Sequence, residues 1–325
     1  MSDKATEHDR TTDFCPFDTG KAILDYPVPM DHARMMQYLE CFRERYSFLD
    51  IQNLGSSVLG KNIPLISLGQ GKKCVLYVGA HHGMEWITTI LLLRFINEYA
   101  ESYRTGRHIY SVYLPYLFRQ RRILIVPMLN PDGVDYVING VAQSNPLRER
   151  LIKMNGGSTD FSQWQANGRG VDLNHNYNAD FEEYRAYAAQ SGISEGAPSR
   201  YCGENAESEP ETGYLCNYLR YAQNDIGAIL SFHTQGEEIY YSSRGITTPR
   251  SLPLARILSR LTSYKLTTPE GHAAYSGLLD WCVQKMNIPA FTLECGKGTN
   301  PLPQELYFCI YAAIRELLFE TPQLI

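Results

Sequence analysis

The amino-acid sequence predicts an α/β fold, a single-domain α/β/α sandwich around a mixed, mostly parallel twisted sheet. Short apolar runs alternate along the chain with longer amphipathic segments, which is typical of a sheet covered by helices. One run, RRILIVPML at 121–129, is apolar almost throughout, like strands that are buried on both faces of a parallel sheet. The chain has 325 residues, of which 44% are hydrophobic and 20% are charged, so it can bury a large core.

The N-terminal part of the chain opens with a polar stretch. Residues 1–20 predict a flexible extension, which leaves 21–325 for the folded domain. Helical spacing of apolar residues in DHARMMQYLECFRERY predicts a helix at about 31–46. Two strands separated by the turn-like GQGKK, a long buried helix and a further strand are then predicted at 63–69, 74–80, 86–102 and 121–129.

The central part of the chain has a different composition. Residues 130–207 are rich in Asn, Gly, Ser and Tyr, so we expect an irregular segment that carries function. It starts with Asn-Pro-Asp-Gly at 130–133, which predicts a sharp chain reversal. The sequence SEPE at 208–211 has the form of a capping box and predicts a helix to about 224. Strands are predicted beyond it at 228–235, 238–243, 264–268 and 290–295, and helices at 251–263, 277–286 and 302–318.

Composition excludes some classes of function. The 30 basic and 35 acidic residues give a net charge of −5, which argues against nucleic acid as a partner, because phosphate binding needs a basic face. No apolar run approaches the ~20 residues that span a bilayer, so no membrane partner is expected. The polar first residues lack the apolar core of a secretory signal, and we expect a cytoplasmic protein. The eight cysteines show no CxxC spacing and predict free thiols.

Ionisable side chains follow two of the apolar strands. His82 and Glu85 lie three residues apart just after the strand at 74–80, so one tight turn would aim both side chains the same way. His233 ends the apolar run AILSFH. Ligand sites gather at the carboxyl ends of strands in α/β sheets. Two imidazoles and one carboxylate make a three-ligand zinc set with one position open. His81 is a rival ligand, and a solvated histidine on a helical turn is the simpler alternative for this pair.

Six motifs, in order, carry a resemblance to a known family. They are GAHHGMEW, LNPDGV, GRGVDLNHNY, SEPET, SFHTQGEEIYY and FTLECGKGTNPLP, and they fall within about residues 45–318. The chain resembles the zinc metallocarboxypeptidases of the carboxypeptidase A-like type, and is most similar to the bacterial γ-D-glutamyl-meso-diaminopimelate peptidases, which cut murein stem peptides. The resemblance implies one zinc ion per chain, held by His82, Glu85 and His233. It also implies that Asp172 orients His82; an Asx turn is the alternative role for Asp172.

The resemblance implies two catalytic groups besides the metal. Glu294 ends the apolar run PAFTLE, and the resemblance makes it the base that takes a proton from the metal-activated water. A buried salt bridge is the other explanation for a carboxylate in that position. Arg169 resembles the arginine that these enzymes point at the scissile carbonyl, where a guanidinium stabilises the oxyanion. A solvated loop arginine is the alternative.

Substrate-binding positions depart from the family pattern. Asn174 and His175 stand where carboxypeptidases place Asn-Arg to bind the terminal carboxylate of the substrate. A histidine binds a carboxylate less firmly than a bidentate arginine, so strict exopeptidase action is not implied. His272 matches the position of the tyrosine that closes over substrate, while Tyr275 is the nearest tyrosine. Leu279 resembles a specificity-pocket residue, and it supplies no charge for a diaminopimelate side chain.

The sequence therefore predicts a zinc-dependent peptidase of small peptides, with the γ-D-glutamyl-diaminopimelate bond of murein stem peptides as the expected target. A carboxypeptidase of another C-terminal specificity and a zinc amide deacylase are alternatives within the same chemistry. From a different class, a non-catalytic peptide-binding relative is also compatible with the motifs. Glu294 and Arg169 argue against that alternative, because a binding module has little use for both.

Overall fold

A computed structural model describes residues 27–325. The extension predicted at 1–20 lies outside the described residues. In chain order the strands are β1 (Asp50–Ser56), β2 (Asn62–Leu68), β3 (Cys74–Gly79), β4 (His108–Ile109), β5 (Val112–Tyr113), β6 (Arg122–Val126), β7 (Ile226–His233), β8 (Glu238–Tyr240), β9 (Lys265–Thr267) and β10 (Ala290–Glu294). The α-helices are α1 (His32–Arg45), α2 (Ile87–Arg104), α3 (Leu114–Gln120), α4 (Pro131–Asn139), α5 (Arg148–Met154), α6 (Phe181–Gln190), α7 (Pro210–Ala222), α8 (Ser251–Thr262), α9 (Leu278–Trp281) and α10 (Tyr307–Glu320).

Eight of these strands form one sheet, in the order β1-β2-β6-β3-β7-β10-β8-β9. The four central strands, β6, β3, β7 and β10, run parallel to one another. Antiparallel pairing joins β2 to β6 and to β1 on one side, and β8 to β10 on the other. The predicted mixed, mostly parallel sheet is therefore confirmed. Strands β4 and β5 pair only with each other, as a small separate hairpin.

The two faces of the sheet bury separate sets of side chains. Along β3, Val75 and Tyr77 face one core, while Leu76 and Val78 face the other, because successive side chains of a strand point to opposite sides. Helices α1, α2, α8 and α10 pack in the first core, and α7 and α9 in the second. The apolar run of β3 is thus buried on both faces, as an α/β/α sandwich requires.

The segment 130–207 is more helical than the sequence predicts. It contains α4, α5 and α6, and the expected chain reversal at 130–133 is instead the start of α4. Asn130 caps this helix by accepting the Gly133 N–H at 2.9 Å, with Pro131 in the first turn. The Asn-Pro-Asp-Gly sequence suits a helix start as well as a turn, since a capping side chain and an N-terminal proline serve both.

Some elements have no clear signal in the sequence. Strand β1 (DIQNLGS) lies at the edge of the sheet with polar, partly exposed side chains, so it lacks an apolar run. The cap of α7 also differs from the predicted capping box, because the Ser208 hydroxyl donates to the Glu209 carboxylate instead of to the helix backbone. No helix among residues 27–325 is long and apolar enough to cross a bilayer. The described cysteines are free thiols, and Cys309 is exposed where its apolar context predicts burial.

A buried carboxylate ties the start of α7 to the rest of the chain. Glu211 is fully buried, and accepts the Val58 N–H at 3.1 Å and the Asn167 side-chain amide at 3.3 Å. Burial raises the pKa of Glu211 to about 8, and the nearby Glu209 and Asp132 carboxylates raise it further, whereas the backbone N–H donors act against the shift. The folded protein thus keeps a proton on this side chain that the unfolded chain loses near pH 4.5.

Glu211→Gln should change how stability depends on pH. Between about pH 5 and pH 7.5 the folded wild type holds one more proton than the unfolded chain at this position. The group therefore lowers the free energy of unfolding by about 1.4 kcal/mol per pH unit as the pH rises. The variant cannot titrate there, so its stability relative to wild type should increase with pH. Urea unfolding of both proteins at pH 5, 6, 7 and 8 measures this difference, and a difference independent of pH would contradict the raised pKa.

Candidate metal centre and active site

Three parallel strands bring the candidate site residues to one edge of the sheet. Strands β3, β7 and β10 are neighbours, and their carboxyl ends lie side by side. His82 and Glu85 follow the end of β3, His233 ends β7 and Glu294 ends β10. In the register of the sheet, Glu294 lies directly opposite His233. Residues that are far apart in the sequence therefore meet because parallel strands end together.

The ligand atoms of His82, Glu85 and His233 converge on one point. The Nδ1 atom of His82 lies 3.0 Å from Glu85 Oε1, the Nδ1 atom of His233 lies 3.0 Å from Glu85 Oε2, and the two Nδ1 atoms are 3.3 Å apart. Ligands of a tetrahedral zinc ion lie about 3.3–3.6 Å from one another, so this spacing suits one ion. All three side chains are buried. Burial raises the pKa of Glu85, but the two adjacent imidazoles lower it to about 2, which keeps the carboxylate ionised.

Local packing holds the turn that carries two of these ligands. Gly83 to Glu85 form a single 3₁₀ turn directly after His82. Gly83 packs so closely against the start of α4 that a Cβ atom there would lie 2.5 Å from the Gly133 carbonyl oxygen. Any side chain at this position would displace the turn. His81 faces elsewhere: its Nε2 lies 3.0 Å from the Tyr177 hydroxyl, so the rival ligand is outside the set of three.

Two further residues surround the ligands. The Asp172 carboxylate is fully buried, with Oδ1 3.4 Å from His82 Nε2, which places it to orient the ring and leave Nδ1 free for a metal. Burial raises the pKa of Asp172, but His175 and His82 hold it well below its usual range. The Asn300 side-chain amide lies 3.3 Å from Glu85 Oε1 and donates to the Thr234 carbonyl at 2.6 Å. Asn300 thus supports the ligand carboxylate from the loop after β10.

Glu294 opens onto a cavity beside the ligands. The cavity has a volume of about 370 Å³, and His82 and Glu294 both line it. Burial raises the pKa of Glu294 to about 8, and the Glu85 carboxylate adds to the shift. No side-chain hydrogen bond or ion pair holds this carboxylate among residues 27–325, so the salt-bridge explanation finds no support there. Its position next to the ligand set suits a base.

Four of the predicted substrate-binding residues line the same cavity: Asn174, His175, His272 and Leu279. The His175 ring is buried and stacks on Tyr184 at a centroid distance of 4.1 Å, with Nδ1 bound to the Tyr275 carbonyl at 2.9 Å. Burial lowers the pKa of His175. The ring is thus held as a packed, neutral group at the cavity wall, which differs from a charged carboxylate clamp.

The structure places His272 at the cavity and Tyr275 away from it. The Tyr275 hydroxyl is 3.4 Å from the Glu183 carboxylate, and the Arg244 guanidinium lies over its ring at 4.7 Å. Of these two alternatives the arrangement favours His272 as the substrate contact, because the Tyr275 side chain belongs to a surface cluster with α6.

Arg169 lies away from the ligand set, where the resemblance does not place it. Its guanidinium binds the buried Glu209 carboxylate through two hydrogen bonds, of 2.7 and 3.0 Å, and also donates to the Ser208 carbonyl. It lines a second cavity, of about 210 Å³, with Arg150 and Glu209, and does not line the cavity of the ligand set. The buried carboxylate holds the arginine there, because Glu209 would otherwise be left without its cation.

Several residues of the cavity were not found from the sequence. Gln165 lines it and donates to Asp172 at 2.8 Å, Arg200 lines it from the following loop, and Asp280 lines it with a buried carboxylate. Asn300 and Asp280 could have been found, since one lies inside a quoted motif and the other follows Leu279. Gln165 and Arg200 have no signal in the sequence, because only the folded loop brings them to the ligands.

Comparison with known proteins identifies the family. The family model described as zinc carboxypeptidase matches residues 35–308. The chain belongs to the zinc carboxypeptidase family. It is 35% identical over 281 residues to "Gamma-D-glutamyl-L-diamino acid endopeptidase 1" of Lysinibacillus sphaericus, which covers 86% of this chain and 69% of the relative.

Solved structures with the same fold are more distant in sequence. Bovine thrombin-activatable fibrinolysis inhibitor, solved with tick carboxypeptidase inhibitor, matches with a TM-score of 0.68 at 20% identity, covering 92% of this chain and 99% of that one. Murein-tripeptide amidase MpaA from Escherichia coli O157 matches with a TM-score of 0.53 at 22% identity, covering 83% of this chain and 91% of that one. Both show the shared fold.

Family membership and the ligand geometry together make this protein a zinc peptidase. Its His-Glu-His set fits the metal that the family uses. A zinc ion held by His82, Glu85 and His233 would supply a Lewis acid for a peptide carbonyl and would lower the pKa of a bound water molecule to about 7. The chain's own contribution is the arrangement around it: Asp172 and Asn300 orient ligands, and Glu294 stands where a proton can be taken from water and passed to the leaving amine.

Glu294→Gln tests the proposed base. We expect kcat to fall by about 10²- to 10⁴-fold, since the amide cannot accept the proton, while zinc content stays at one per chain. Steady-state kinetics and metal analysis of the purified variant measure both quantities. Glu305→Gln is the control, because Glu305 is an exposed glutamate that does not line the cavity. If the Glu294→Gln variant turns over substrate at nearly the wild-type rate, Glu294 is not the base.

Arg169→Gln should affect stability and leave catalysis unchanged. Removal of the guanidinium leaves the buried Glu209 carboxylate without its charged partner, which costs about 1–3 kcal/mol. We expect a lower thermal unfolding midpoint, with kcat/KM within about threefold of wild type. Arg150→Gln is the control, since Arg150 is exposed on the same second cavity. A large fall in kcat at unchanged stability would instead support a catalytic role for Arg169.

Proposed function

We propose that this zinc peptidase hydrolyses the bond between a γ-D-glutamyl group and a diamino acid in murein-derived peptides. The relative from Lysinibacillus sphaericus carries this specificity in its name, and the shared sequence spans most of the present chain. The relevant diamino acid is the residue on the leaving side of the bond. It carries a side-chain ammonium group that most other residues lack, so a cavity for it needs an anionic group.

Asp280 is the observation that carries the proposal. Its side chain lines the cavity and is only 4% exposed. Oδ2 accepts the Gly277 N–H at 2.9 Å, and the Ser243 hydroxyl acts on the carboxyl group as a further donor that lowers its pKa, whereas Oδ1 is buried with no hydrogen bond within 3.5 Å among residues 27–325. A buried carboxylate oxygen without a donor is costly unless a ligand supplies one. A substrate ammonium is such a donor, and Asp280 provides the charge that the adjacent Leu279 cannot.

Leu279 favours a second candidate of the same chemistry, a carboxypeptidase for aliphatic C-terminal residues, because it gives part of the cavity an apolar wall. Asp280 argues against it, since an aliphatic side chain would leave Oδ1 unpaired. The cytoplasmic location expected from the sequence stays a prediction.

A substrate panel tests the proposal. It contains a γ-D-glutamyl-diaminopimelyl peptide, the same peptide with the side-chain amine acetylated, peptides with aliphatic C-termini and N-acyl amino acids, with products assigned by mass spectrometry. We expect cleavage of the γ-glutamyl bond, and a loss of roughly 10- to 100-fold in kcat/KM on acetylation, because a charge-assisted hydrogen bond is removed. The Asp280→Asn variant should lose the same factor in kcat/KM on the peptide with a free side-chain amine, and little on the acetylated peptide. Faster turnover of the aliphatic peptides or of the N-acyl amino acids would favour the alternatives, and zinc binding without any turnover would favour a binding role.

A further inference from the structure

The cavity lacks a cation at both positions where the family resemblance implies one. Arg169 is engaged by Glu209, and position 175 is a buried, stacked histidine. Among the residues that line the cavity, Arg200 is the one arginine or lysine. Its side chain is exposed, so it lies at the mouth of the cavity, whereas the Asp280 side chain is buried.

The backbone of Arg200 is held from both sides. Its N–H donates to Asp172 Oδ2 at 2.9 Å, the same carboxylate that lies against the ligand His82. Its carbonyl accepts the Tyr184 hydroxyl at 2.9 Å. The residue adopts a φ of +67°, in the left-handed region that arginine rarely occupies. Such a conformation persists only where surrounding contacts impose it, and it is found most often at functional sites.

The guanidinium of Arg200 has no ion pair and no hydrogen bond among residues 27–325. It lies near His272, whose pKa is lowered by burial and further by this charge. Two exposed arginines outside the cavity are engaged: Arg244 binds Glu183, and Arg185 binds Glu182. Arg200 therefore combines a constrained backbone with an uncommitted charged group that offers a fork of donors.

The proposed substrate carries an anion that suits this group. A glutamyl residue linked through its γ-carboxyl keeps a free α-carboxylate on the acyl side of the scissile bond, whereas an ordinary α-linked peptide has none there. The Arg200 backbone is tied through Asp172 to the ligand His82, whereas the Asp280 carboxylate is buried and held by the Gly277 N–H. We propose that Arg200 binds the free α-carboxylate of the γ-glutamyl group. This inference rests on the proposed function and names the acyl-side contact of that site.

The experiment pairs variants with two substrates. One is a γ-D-glutamyl-diaminopimelyl peptide with its α-carboxylate free; the other is the same peptide with that group converted to a carboxamide. We expect Arg200→Gln to lose about 10- to 100-fold in kcat/KM on the carboxylate substrate and less than about threefold on the carboxamide. Arg200→Lys should retain an intermediate rate on the carboxylate, because it keeps the charge without the fork.

Arg185→Gln is the matched control, as an exposed arginine of the neighbouring helix α6 that does not line the cavity. Zinc content and the unfolding midpoint are measured for every variant, so that a folding defect is recognised. Equal losses by Arg200→Gln on both substrates would overturn the assignment, since they indicate a structural role or contact with the carbonyl. If the wild type cleaves both γ-linked substrates equally well, the role proposed for Arg200 is overturned and the proposed function is not. A wild type that cleaves only α-linked peptides would overturn the proposed function itself.

Discussion

Burial of the Asp172 carboxylate is the constraint on which the candidate site depends. The Asp172 side chain, at the start of a 3₁₀ turn, lies against the ligand His82. Its hydrogen-bond donors are the backbone N–H groups of Asn174 and Arg200 and the side-chain amide of Gln165. A buried charge of this kind is stable only when such partners are present. Since every one of these partners comes from residues 165–200, the carboxylate fastens that loop to the metal ligands. Gln165, Asn174, His175 and Arg200 line the cavity, and they inherit their positions from this attachment.

The sheet and the loops therefore have different roles: the sheet positions the metal ligands and the base, and the loops carry the substrate contacts. The sheet positions His82, Glu85, His233 and Glu294, because three neighbouring parallel strands end at the same edge. Short-range geometry of that kind tolerates little change, and it carries the chemistry common to the family. Specificity lies in the loops that Asp172 gathers, where a residue can change without disturbing the ligands. The chain can thus keep zinc peptidase chemistry while it moves its charged substrate contacts.

This division also explains what could be predicted from the sequence. The ligands and Glu294 are predictable because each follows or ends an apolar run within a motif that resembles those of the family, and the strand order brings them together. The direction of the Arg169 side chain is not predictable, because a motif position shows which residues are neighbours in the chain and not where a side chain points. Its direction depends on Glu209, forty residues further along, whose buried carboxylate binds it. The sequence predicts a chain reversal where helix α4 begins, because a capping asparagine and a proline are common to turns and helix starts. Arg200 could not be found at all, since its role depends on a left-handed backbone and on Asp172.

His175, which stands where carboxypeptidases have an arginine, is one such change in a loop residue. His175 is buried against Tyr184, and its Nδ1 is bound to a backbone carbonyl, so it does not present a permanent charge to the leaving side of the cavity. A site without a fixed cation there does not require a free C-terminal carboxylate, and it can accept a peptide that continues beyond the diamino acid. The charge at the cavity mouth belongs instead to Arg200, next to the metal-ligand side. Recognition of an acyl-side carboxylate and of a leaving-side ammonium together would select a γ-linked glutamyl-diamino acid unit within a longer peptide. Under the proposed function, such a site would work as an endopeptidase by the position of its charges, with the zinc chemistry of its family unchanged.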